Sequence, residues 1–467
     1  MTNSTALSAE SLASLPIATL RDAVDGTVFV RGNDGLAAEV AAFNTALVHD
    51  PDVVVGVISE TDVANAVRFA AANGLAVHIH ATGHGASAAI ESGMIISTAR
   101  LDTVLVDPQK RLATIGAGVR WRPVIDAAVP FGLAPITGSS VTVGAVGYTL
   151  GGGLGPLARS HGFTSDWVRA FRVVTATGDI VTADAHTNAD LFWALRGGKG
   201  GLGVVTQMTL ELAPLPDLYA GSLFFDGSEN IEAALRVWTE WLPDAPANVT
   251  TSVALLKMPE LEFIPAPLRG RDLLSLRFAF PGGAAEGERL IAPLRDAAPV
   301  YIDDVEAMSP RDVGMIHNDP EEGGPGWEYA ATLTGIDQEL VTDLLEHLGP
   351  DSNSPFLSAE LRQLGGRTTV DADVPSAVGG RDGSLLLSLI ALDPSTFAAA
   401  QGVAASFSSA AGSWLADVTN VNFGGDPSEP QVFESSWPVE IHDRLRAVRS
   451  DYDPDGVFSF GPVPVVE

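Results

Sequence analysis

Residues 138–155 read GSSVTVGAVGYTLGGGLG, and this stretch decides the fold. Seven of its 18 residues are glycine. Glycine loses more backbone freedom on folding than any other residue, so an ordinary core does not need so many. The stretch therefore predicts a backbone that approaches a bound group closely, with an irregular glycine-rich loop as the alternative. Its formal match to a dinucleotide-binding pattern near Gly151 lacks the acidic ribose partner of a βαβ unit.

A second cluster lies upstream, where residues 78–85 read HIHATGHG. On a strand, His78 and His80 share one face. Gly83 and Gly85 bracket His84 in a turn. Three interpretations stay open: metal ligands in His-x-His spacing, incidental strand histidines, or a strand and turn that hold a dinucleotide pyrophosphate on backbone N–H groups.

A third glycine cluster, GGKGG at residues 197–201, superficially resembles a phosphate-binding loop. The Lys-Ser/Thr pair that must follow the last glycine of such a loop is missing, so this interpretation is rejected.

The composition narrows the possible partners. The 467 residues include 27 Lys and Arg against 58 Asp and Glu, a net charge of −31. That charge disfavours nucleic acid and anionic membrane surfaces as partners. The chain has no cysteine, which excludes disulfides, iron–sulfur clusters, thiolate zinc sites and cysteine nucleophiles.

Length and terminal composition predict the organisation and location of the protein. The length predicts two or three domains. No apolar run reaches the ~20 residues that a membrane span needs. Residues 1–20 carry no basic residue, so we expect no secretory signal and a cytoplasmic protein.

Strand and helix signals alternate in the first 212 residues. We predict a buried strand over Val53–Ile58, a helix over Val63–Asn73 capped by Thr61-Asp62, and a strand over Leu75–His80. The turn Ala176–Asp179 predicts a hairpin. Asn188 has the character of an N-cap for a helix over Ala189–Leu195.

Beyond about Pro214 the glycine clusters thin out and longer amphipathic helices alternate with strands. The predicted elements there are helices Ile231–Trp241 and Ala285–Ala297 and strands Leu273–Phe280 and Leu385–Leu392. The order of elements indicates an α+β or α/β protein.

Four signals then fall in one order: Thr82-Gly83-His84-Gly85, the glycine pattern from Val143 to Gly155, DLFWALRGG at 190–198, and GVVT at 203–206. Together they resemble the FAD-linked oxidases of the vanillyl-alcohol-oxidase type, most of all the berberine-bridge-enzyme-like branch and its bacterial relatives. The resemblance implies an α+β fold. A PCMH-type FAD-binding domain (1–212, with a C-terminal return at 418–467) would hold an inserted substrate domain (213–417), an antiparallel sheet flanked by helices.

The resemblance also implies a set of FAD-binding residues. His84 stands where these enzymes join a histidine to the flavin 8α-methyl carbon. Ser140 occupies the position of a cysteine that some relatives link to flavin C6, so attachment here is single, or FAD is non-covalent. Val143 favours access of oxygen to the flavin. The implied FAD-binding residues are His80, Ala81, Thr82, Gly83, His84, Gly85, Gly138, Ser139, Ser140, Val143, Gly144, Gly147, Tyr148, Gly151, Gly153, Val205 and Asn422.

The catalytic base cannot be carried over from the family. Many relatives have tyrosines beside the asparagine that matches Asn422, whereas Asn420 and Phe423 stand here. Ala359–Gln363 is typical of a strand that places Glu360 and Arg362 on one face. This pair could bind and deprotonate a polyol, or form a structural ion pair. Tyr148, His317 and Tyr329 are the other candidates, and we assign catalysis to Glu360, Arg362 and Tyr148.

The expected activity is transfer of a hydride from a substrate CH–OH to flavin N5, with O2 as the acceptor and hydrogen peroxide as the product. A secondary alcohol of a sugar or glycoside is the favoured small-molecule substrate. The alternatives are a secondary-amine oxidase of the hydroxynicotine-oxidase kind and a non-enzyme metal protein that uses His78, His80 and His84. We predict no metal in the enzyme, and the oligomeric state is open.

Overall fold

The computed structural model describes residues 6–262, 264–425 and 429–460. Its first sheet has the strand order β1-β2-β4-β3. Strand β2 and strand β3 both pair with β4 in parallel, and β1 pairs with β2 in antiparallel register. The strands of this sheet are β1 (Thr27–Val30), β2 (Val53–Gly56), β3 (Val77–His80) and β4 (Met94–Ser97).

The second sheet has the order β5-β6-β10-β8-β9, and a short pair joins β7 to β11. The predicted hairpin is confirmed, because β8 and β9 pair in antiparallel register around residues 175–179. The strands are β5 (Val104–Asp107), β6 (Leu112–Gly116), β7 (Leu133–Ala134), β8 (Val168–Val174), β9 (Ile180–Asp184), β10 (Val204–Glu211) and β11 (Ala213–Pro214).

The third and largest sheet is antiparallel throughout its described pairings. Its order is β15-β12-β14-β13-β18-β19-β17, and β16 pairs with β12. The predicted strands that begin at Leu273, Ala359 and Leu385 are confirmed, and each of their ends lies within one residue of the prediction. The strands are β12 (Leu218–Asp226), β13 (Thr250–Lys257), β14 (Asp272–Phe280), β15 (Ile302–Asp303), β16 (Glu306–Met308), β17 (Trp327–Leu333), β18 (Ser358–Gln363) and β19 (Leu385–Ala391).

One face of the large sheet is covered by helices. Apolar residues of its strands form a buried cluster with Ile231, Ile291, Leu344 and Phe407, which come from four different helices. The α-helices are α1 (Ala9–Ser14), α2 (Ile17–Ala23), α3 (Leu36–Glu39), α4 (Glu60–Ala72), α5 (Trp121–Ala128), α6 (Ala145–Leu150), α7 (Ala158–His161), α8 (Ala189–Leu195), α9 (Ser228–Trp241), α10 (Ala284–Arg295), α11 (Gln338–Leu348), α12 (Phe397–Ala411), α13 (Pro430–Glu434) and α14 (Val439–Tyr452).

One predicted helix cap is wrong, and the other is confirmed in its position but makes no side-chain cap. Helix α4 begins two residues before Asp62, and the side chain of Ser59 caps it by accepting from Asp62 N. Asn188 does precede α8, but it lies in the left-handed region at φ 47° and its side chain makes no cap. Its Nδ2 atom instead donates to Thr182 O at 2.7 Å, because the chain arrives there from the preceding hairpin.

The C-terminal stretch packs against the first part of the chain. Phe458 bridges to Val77, and Arg449 is buried and donates to Phe458 O. Trp437 and Leu445 belong to the same buried cluster as strands β6 and β10. The boundaries 213–417 and 418–467 stay predictions. Within residues 6–262, 264–425 and 429–460, no helix has the length and apolarity to cross a membrane.

Candidate active site

The loop after β3 and the glycine-rich stretch before α6 meet each other. Thr82 Oγ1 accepts from Gly144 N at 3.3 Å, and His84 Nε2 lies 3.3 Å from Thr142 Oγ1. Phe43 stacks on the His84 ring with centroids 3.8 Å apart. The structure therefore brings together the two segments that the glycine and histidine motifs single out.

Burial sets the charge of the histidines. Burial, aided by Arg120, lowers the pKa of His84 to about 4. Burial also lowers the pKa of His78 and of His80 to about 4. All three rings are therefore neutral at pH 7, and His84 carries the free electron pair that a bond to carbon requires.

Tyr148 lies in a slot that only glycine can border. A Cβ atom at Gly153 would lie 2.5 Å from Tyr148 Cε1, and one at Gly138 would lie 3.0 Å from Cε2. Gly153 also has φ +79°, which favours glycine. The Tyr148 hydroxyl is buried without a hydrogen-bond partner among the described residues, and burial raises its pKa. Tyr148 is therefore a protonated phenol at neutral pH.

Lys199 is a member of this site that the sequence reasoning missed. Its Nζ atom donates to Asn422 Oδ1 at 2.6 Å and to Gly147 O at 3.1 Å. Asn422 in turn donates through Nδ2 to Tyr148 O at 2.9 Å. Burial lowers the pKa of Lys199 to about 8. The lysine thus holds the C-terminal asparagine against helix α6.

All but one of the predicted FAD-binding residues lie in three segments of the chain. Residues 80–85 form the last residue of β3 and the loop after it, residues 138–153 surround α6, and Asn422 joins them from the C-terminal stretch. Val205 lies apart on the central strand β10, with its side chain buried in the core. Only its backbone could reach a cofactor.

A charged cluster lies on the face of the large sheet away from the helices. Arg277, Ser252 and Arg362 stand opposite one another on β14, β13 and β18. Glu360 Oε1 accepts from Arg277 Nη1 at 2.7 Å and from Ser252 Oγ at 2.8 Å, and its Oε2 accepts from Arg362 Nε at 2.8 Å. The predicted shared face of Glu360 and Arg362 is confirmed. Arg277 and Ser252 were not foreseen.

The partners of Glu360 decide its charge. Burial alone would raise the pKa of the carboxyl, but Arg362 and Arg277 hold it well below its ordinary value. His317 Nε2 also lies 3.3 Å from Glu360 Oε1. The carboxylate is therefore ionised and surrounded by donors.

A small cleft opens beside this cluster. The glycine-rich stretch forms one wall through Leu154 and Gly155, and Arg277, His317 and Arg362 form the other. The cleft is thus shared by the cofactor-binding stretch and the large sheet.

Tyr329 does not reach this cluster. It pairs with Leu389, whose side chain is in the core beneath the helices, and its hydroxyl lies 2.8 Å from Ser408 Oγ on α12. Because side chains alternate along a strand, Tyr329 faces away from Glu360.

The motif DLFWALRGG connects parts of the chain that are distant in sequence. Arg196 is fully buried, stacks over Phe192 with Cζ 4.3 Å from the ring centroid, and donates to Val374 O at 2.9 Å and to Pro375 O. Trp437 Nε1 donates to Gly197 O at 3.1 Å. The motif therefore ties helix α8 to the large-sheet region and to the C-terminal stretch.

The loops fit a dinucleotide cofactor. A Cβ atom at Gly85 or Gly147 would meet no heavy atom within 4 Å, so these glycines border open space. Neutral His84 and the buried Tyr148 hydroxyl lie on the segments that border it. In the described part of the chain, no three His, Asp or Glu side chains converge as metal ligands, so the geometry lends the metal-protein alternative no support.

Sequence comparison finds similarity to FAD-binding proteins in this part of the chain. The model of an FAD binding domain matches residues 51–184, the region from β2 to β9. The FAD-linked oxidoreductase YgaK of Bacillus subtilis is 26% identical over 438 residues, which cover 89% of this chain and 92% of YgaK.

Two solved structures share the fold. The 6-hydroxy-D-nicotine oxidase of Arthrobacter nicotinovorans superimposes with a TM-score of 0.81 at 23% identity, covering 93% of this chain and 96% of that one. A glucooligosaccharide oxidase of Acremonium strictum, with 6-S-cysteinyl, 8α-N1-histidyl FAD, gives 0.79 at 20% identity, covering 98% and 99%.

The fold and the matched domain thus define a protein with a PCMH-type FAD-binding fold in an α+β arrangement. Residues 51–184 of this chain match the model of an FAD binding domain, and most of the chain is similar to FAD-linked oxidoreductases. Its placement in the berberine-bridge-enzyme-like branch stays a prediction.

Proposed function

We propose that this chain is an FAD-dependent oxidase that acts on a CH–OH group, with a secondary alcohol of a sugar or glycoside as the favoured substrate. The observation that carries the proposal is the polar face of Arg277, Ser252, Glu360 and Arg362 beside the cleft. Such a row of donors and acceptors suits the hydroxyl groups of a carbohydrate. The carbohydrate oxidase with the same fold supports this class of substrate.

The same cluster disfavours the amine alternative. Arg277 and Arg362 are both cations, and the carboxylate of Glu360, which pairs with them, is already bound to both. A protonated amine would meet like charge in a poorly solvated cleft, which costs binding free energy. Because a hydroxynicotine oxidase has the same fold, the experiment below also includes an amine substrate.

The cofactor and the chain would divide the chemistry. Bound FAD would supply the two-electron acceptor, which O2 regenerates with release of hydrogen peroxide. Arg362 and Arg277 would bind substrate hydroxyls, and the protonated Tyr148 hydroxyl would donate a hydrogen bond to the substrate oxygen. Val143, which by the resemblance favours access of oxygen to the flavin, supports O2 as acceptor, and a cytoplasmic location belongs to the same proposal.

We propose further that FAD is attached once, through His84. The neutral ring of His84 has the electron pair that the bond needs. The chain has no cysteine for a second attachment, in contrast to the glucooligosaccharide oxidase, and Ser140 lies 3.0 Å from Thr142 Oγ1.

Anaerobic mixing of the FAD-loaded protein with separate probes tests the proposal. Cellobiose, xylobiose and glucose represent carbohydrates, and 6-hydroxynicotine represents amines. We expect a carbohydrate to bleach the oxidised-flavin absorbance, and added oxygen to restore it with hydrogen peroxide in equal amount. Bleaching by the amine alone would overturn the proposed substrate class.

A further inference from the structure

His317 is held at the junction of the large sheet and the glycine-rich stretch. It directly follows the 3₁₀ helix Pro310–Ile316. Ser222 Oγ on β12 donates to Ile316 O at 2.8 Å, and both atoms are buried. On the other side, a Cβ atom at Gly314 would lie 2.9 Å from Val141 Cγ1. The segment therefore packs against both the large sheet and the glycine-rich stretch.

The neighbours of His317 determine which ring nitrogen carries the proton. Nε2 lies 3.3 Å from Glu360 Oε1, and an ionised carboxylate can only accept a hydrogen bond. In the neutral ring the proton is therefore on Nε2, and Nδ1 has the free electron pair. Nδ1 is buried and has no hydrogen-bond partner among the described residues. An acceptor of this kind, in a cleft wall, is suited to take a proton from a ligand.

The charges around His317 come from Glu360 and Arg362 on β18 and from Arg277 on β14. Burial, aided by Arg277, lowers the pKa of His317, and Glu360 opposes the shift. The ring is therefore neutral at pH 7. Once the ring gains a proton, the negative charge of Glu360 stabilises it.

Glu360, Tyr148 and Gln363, three other polar groups near the cleft, are poor proton acceptors. Glu360 is ionised but accepts from Arg277, Ser252 and Arg362, which leaves it weakly basic. Burial keeps Tyr148 protonated. Gln363 accepts from Thr251 Oγ1 at 2.8 Å.

We infer that His317 is the proton acceptor of the proposed reaction and that Glu360 is a positioning residue that fixes its tautomer. The O–H proton of the substrate passes to Nδ1, the C–H bond breaks with its electron pair leaving as a hydride to the bound FAD, and a C=O bond forms. The inference rests on the proposed function.

The test compares His317→Gln with the wild type in anaerobic flavin reduction by the carbohydrate that bleaches the wild type best. Glutamine keeps a donor toward Glu360 but removes the ring nitrogen. We expect the rate constant to fall about 10²-fold or more. The acid limb of the wild-type pH profile, below the ordinary histidine value of about 6.5, should vanish. Glu360→Gln should keep that limb but move it to lower pH, because the carboxylate that raises the pKa of His317 is gone.

Two readouts are independent of turnover. Nitrogen-15 NMR of the nine histidines should show one neutral ring protonated on Nε2 whose signal is absent from His317→Gln. Flavin absorbance and the melting midpoint show that the variant is folded. His347→Gln is the matched control, because it makes the same substitution on helix α11, outside the cleft, and we expect an unchanged rate constant.

The failures of the two proposals are distinguishable. If a carbohydrate reduces the flavin of the wild type and of His317→Gln at similar rates, the proposed function stands and the role of His317 is wrong. A slowed variant that keeps the acid limb also overturns that role. If only the amine reduces the wild-type flavin, both proposals fall together.

Discussion

Glu360 Oε1 lies 2.7 Å from Arg277 Nη1, although the two residues stand on strands that do not pair with each other. Strand β13 runs between them and contributes Ser252 to the same oxygen atom. Both side chains are less than a tenth exposed. A buried carboxylate is tolerated here because three donors replace the water that it has lost.

Replacement of this carboxylate should therefore destabilise the protein strongly. Glu360→Gln leaves Arg277 and Arg362 as buried cations without a counter-charge, and we expect a loss of about 3–5 kcal/mol in the free energy of unfolding at pH 7. Urea denaturation measures it. Glu286→Gln is the control, because Glu286 pairs with Arg289 at 2.6 Å on the exposed surface of α10, where water and salt screen an ion pair and it contributes little to stability. Equal losses in both variants would contradict the burial argument.

The same pair predicts a dependence on acid. The pKa of Glu360 is well below its ordinary value of about 4.5 in the folded protein. Its stabilisation is therefore present above that value and is lost as the pH falls through the lower, folded value. Between neutral pH and about pH 3, the wild type should lose more stability than Glu360→Gln. Parallel loss in the two proteins would show that another group is responsible.

Attachment of the flavin gives a prediction with a visible readout. Acid-precipitated wild-type protein should keep its yellow colour in the pellet, because the bond to His84 survives denaturation. His84→Ala should release the colour to the supernatant, and Ser140→Ala should keep it in the pellet, since no second link exists. A yellow pellet from His84→Ala would place the bond elsewhere, and a colourless wild-type pellet would make the FAD non-covalent.

Replacement of glycine by alanine should have opposite effects beside Tyr148 and on helix α12. Gly153→Ala puts a Cβ atom 2.5 Å from the Tyr148 ring at φ +79°, so we expect a lower melting midpoint and less bound FAD. Gly402→Ala adds a Cβ atom in open space on helix α12 and should stabilise the protein by about 0.5–1 kcal/mol. Calorimetry and flavin content measure both. An unchanged Gly153→Ala would show that the Tyr148 slot is not rigid.

Local patterns in the sequence were sufficient to predict the strand at Glu360 and the face that it shares with Arg362. Alternation along one strand determines that relationship. Arg277 and Ser252 could not be found in this way, because the register between distant strands depends on the whole sheet. One signal was available: Arg277 interrupts the otherwise apolar run around Leu276 and Phe278.

Helix caps show the same limit at shorter range. Ser59, Thr61 and Asp62 are all good capping residues, and spacing alone did not decide among them. Asp62 does not cap the helix, because its carboxylate instead accepts from Asp25 N at 3.0 Å and from Ile58 N at 3.0 Å. The first of these contacts comes from a segment 37 residues away. Tertiary contacts therefore determine that Ser59 is the residue that caps α4.

Lys199 gives the last prediction, since its neighbour Asn422 lies 223 residues away. Burial lowers the pKa of Lys199 to about 8 in the folded protein, whereas an unfolded lysine has about 10.4. Between these values the unfolded chain binds the proton more tightly, so this group makes stability rise with pH, by about 2 kcal/mol at about pH 9.5. Lys199→Met should lack that rise in urea denaturation at about pH 7.5 and 9.5. Lys257→Met is the control, because Lys257 also donates to two carbonyl oxygens, at 3.0 Å each, and it should keep the rise. If the stability of wild type and of Lys199→Met depends on pH in the same way, the ammonium group of Lys199 is solvated and is not buried beside Asn422.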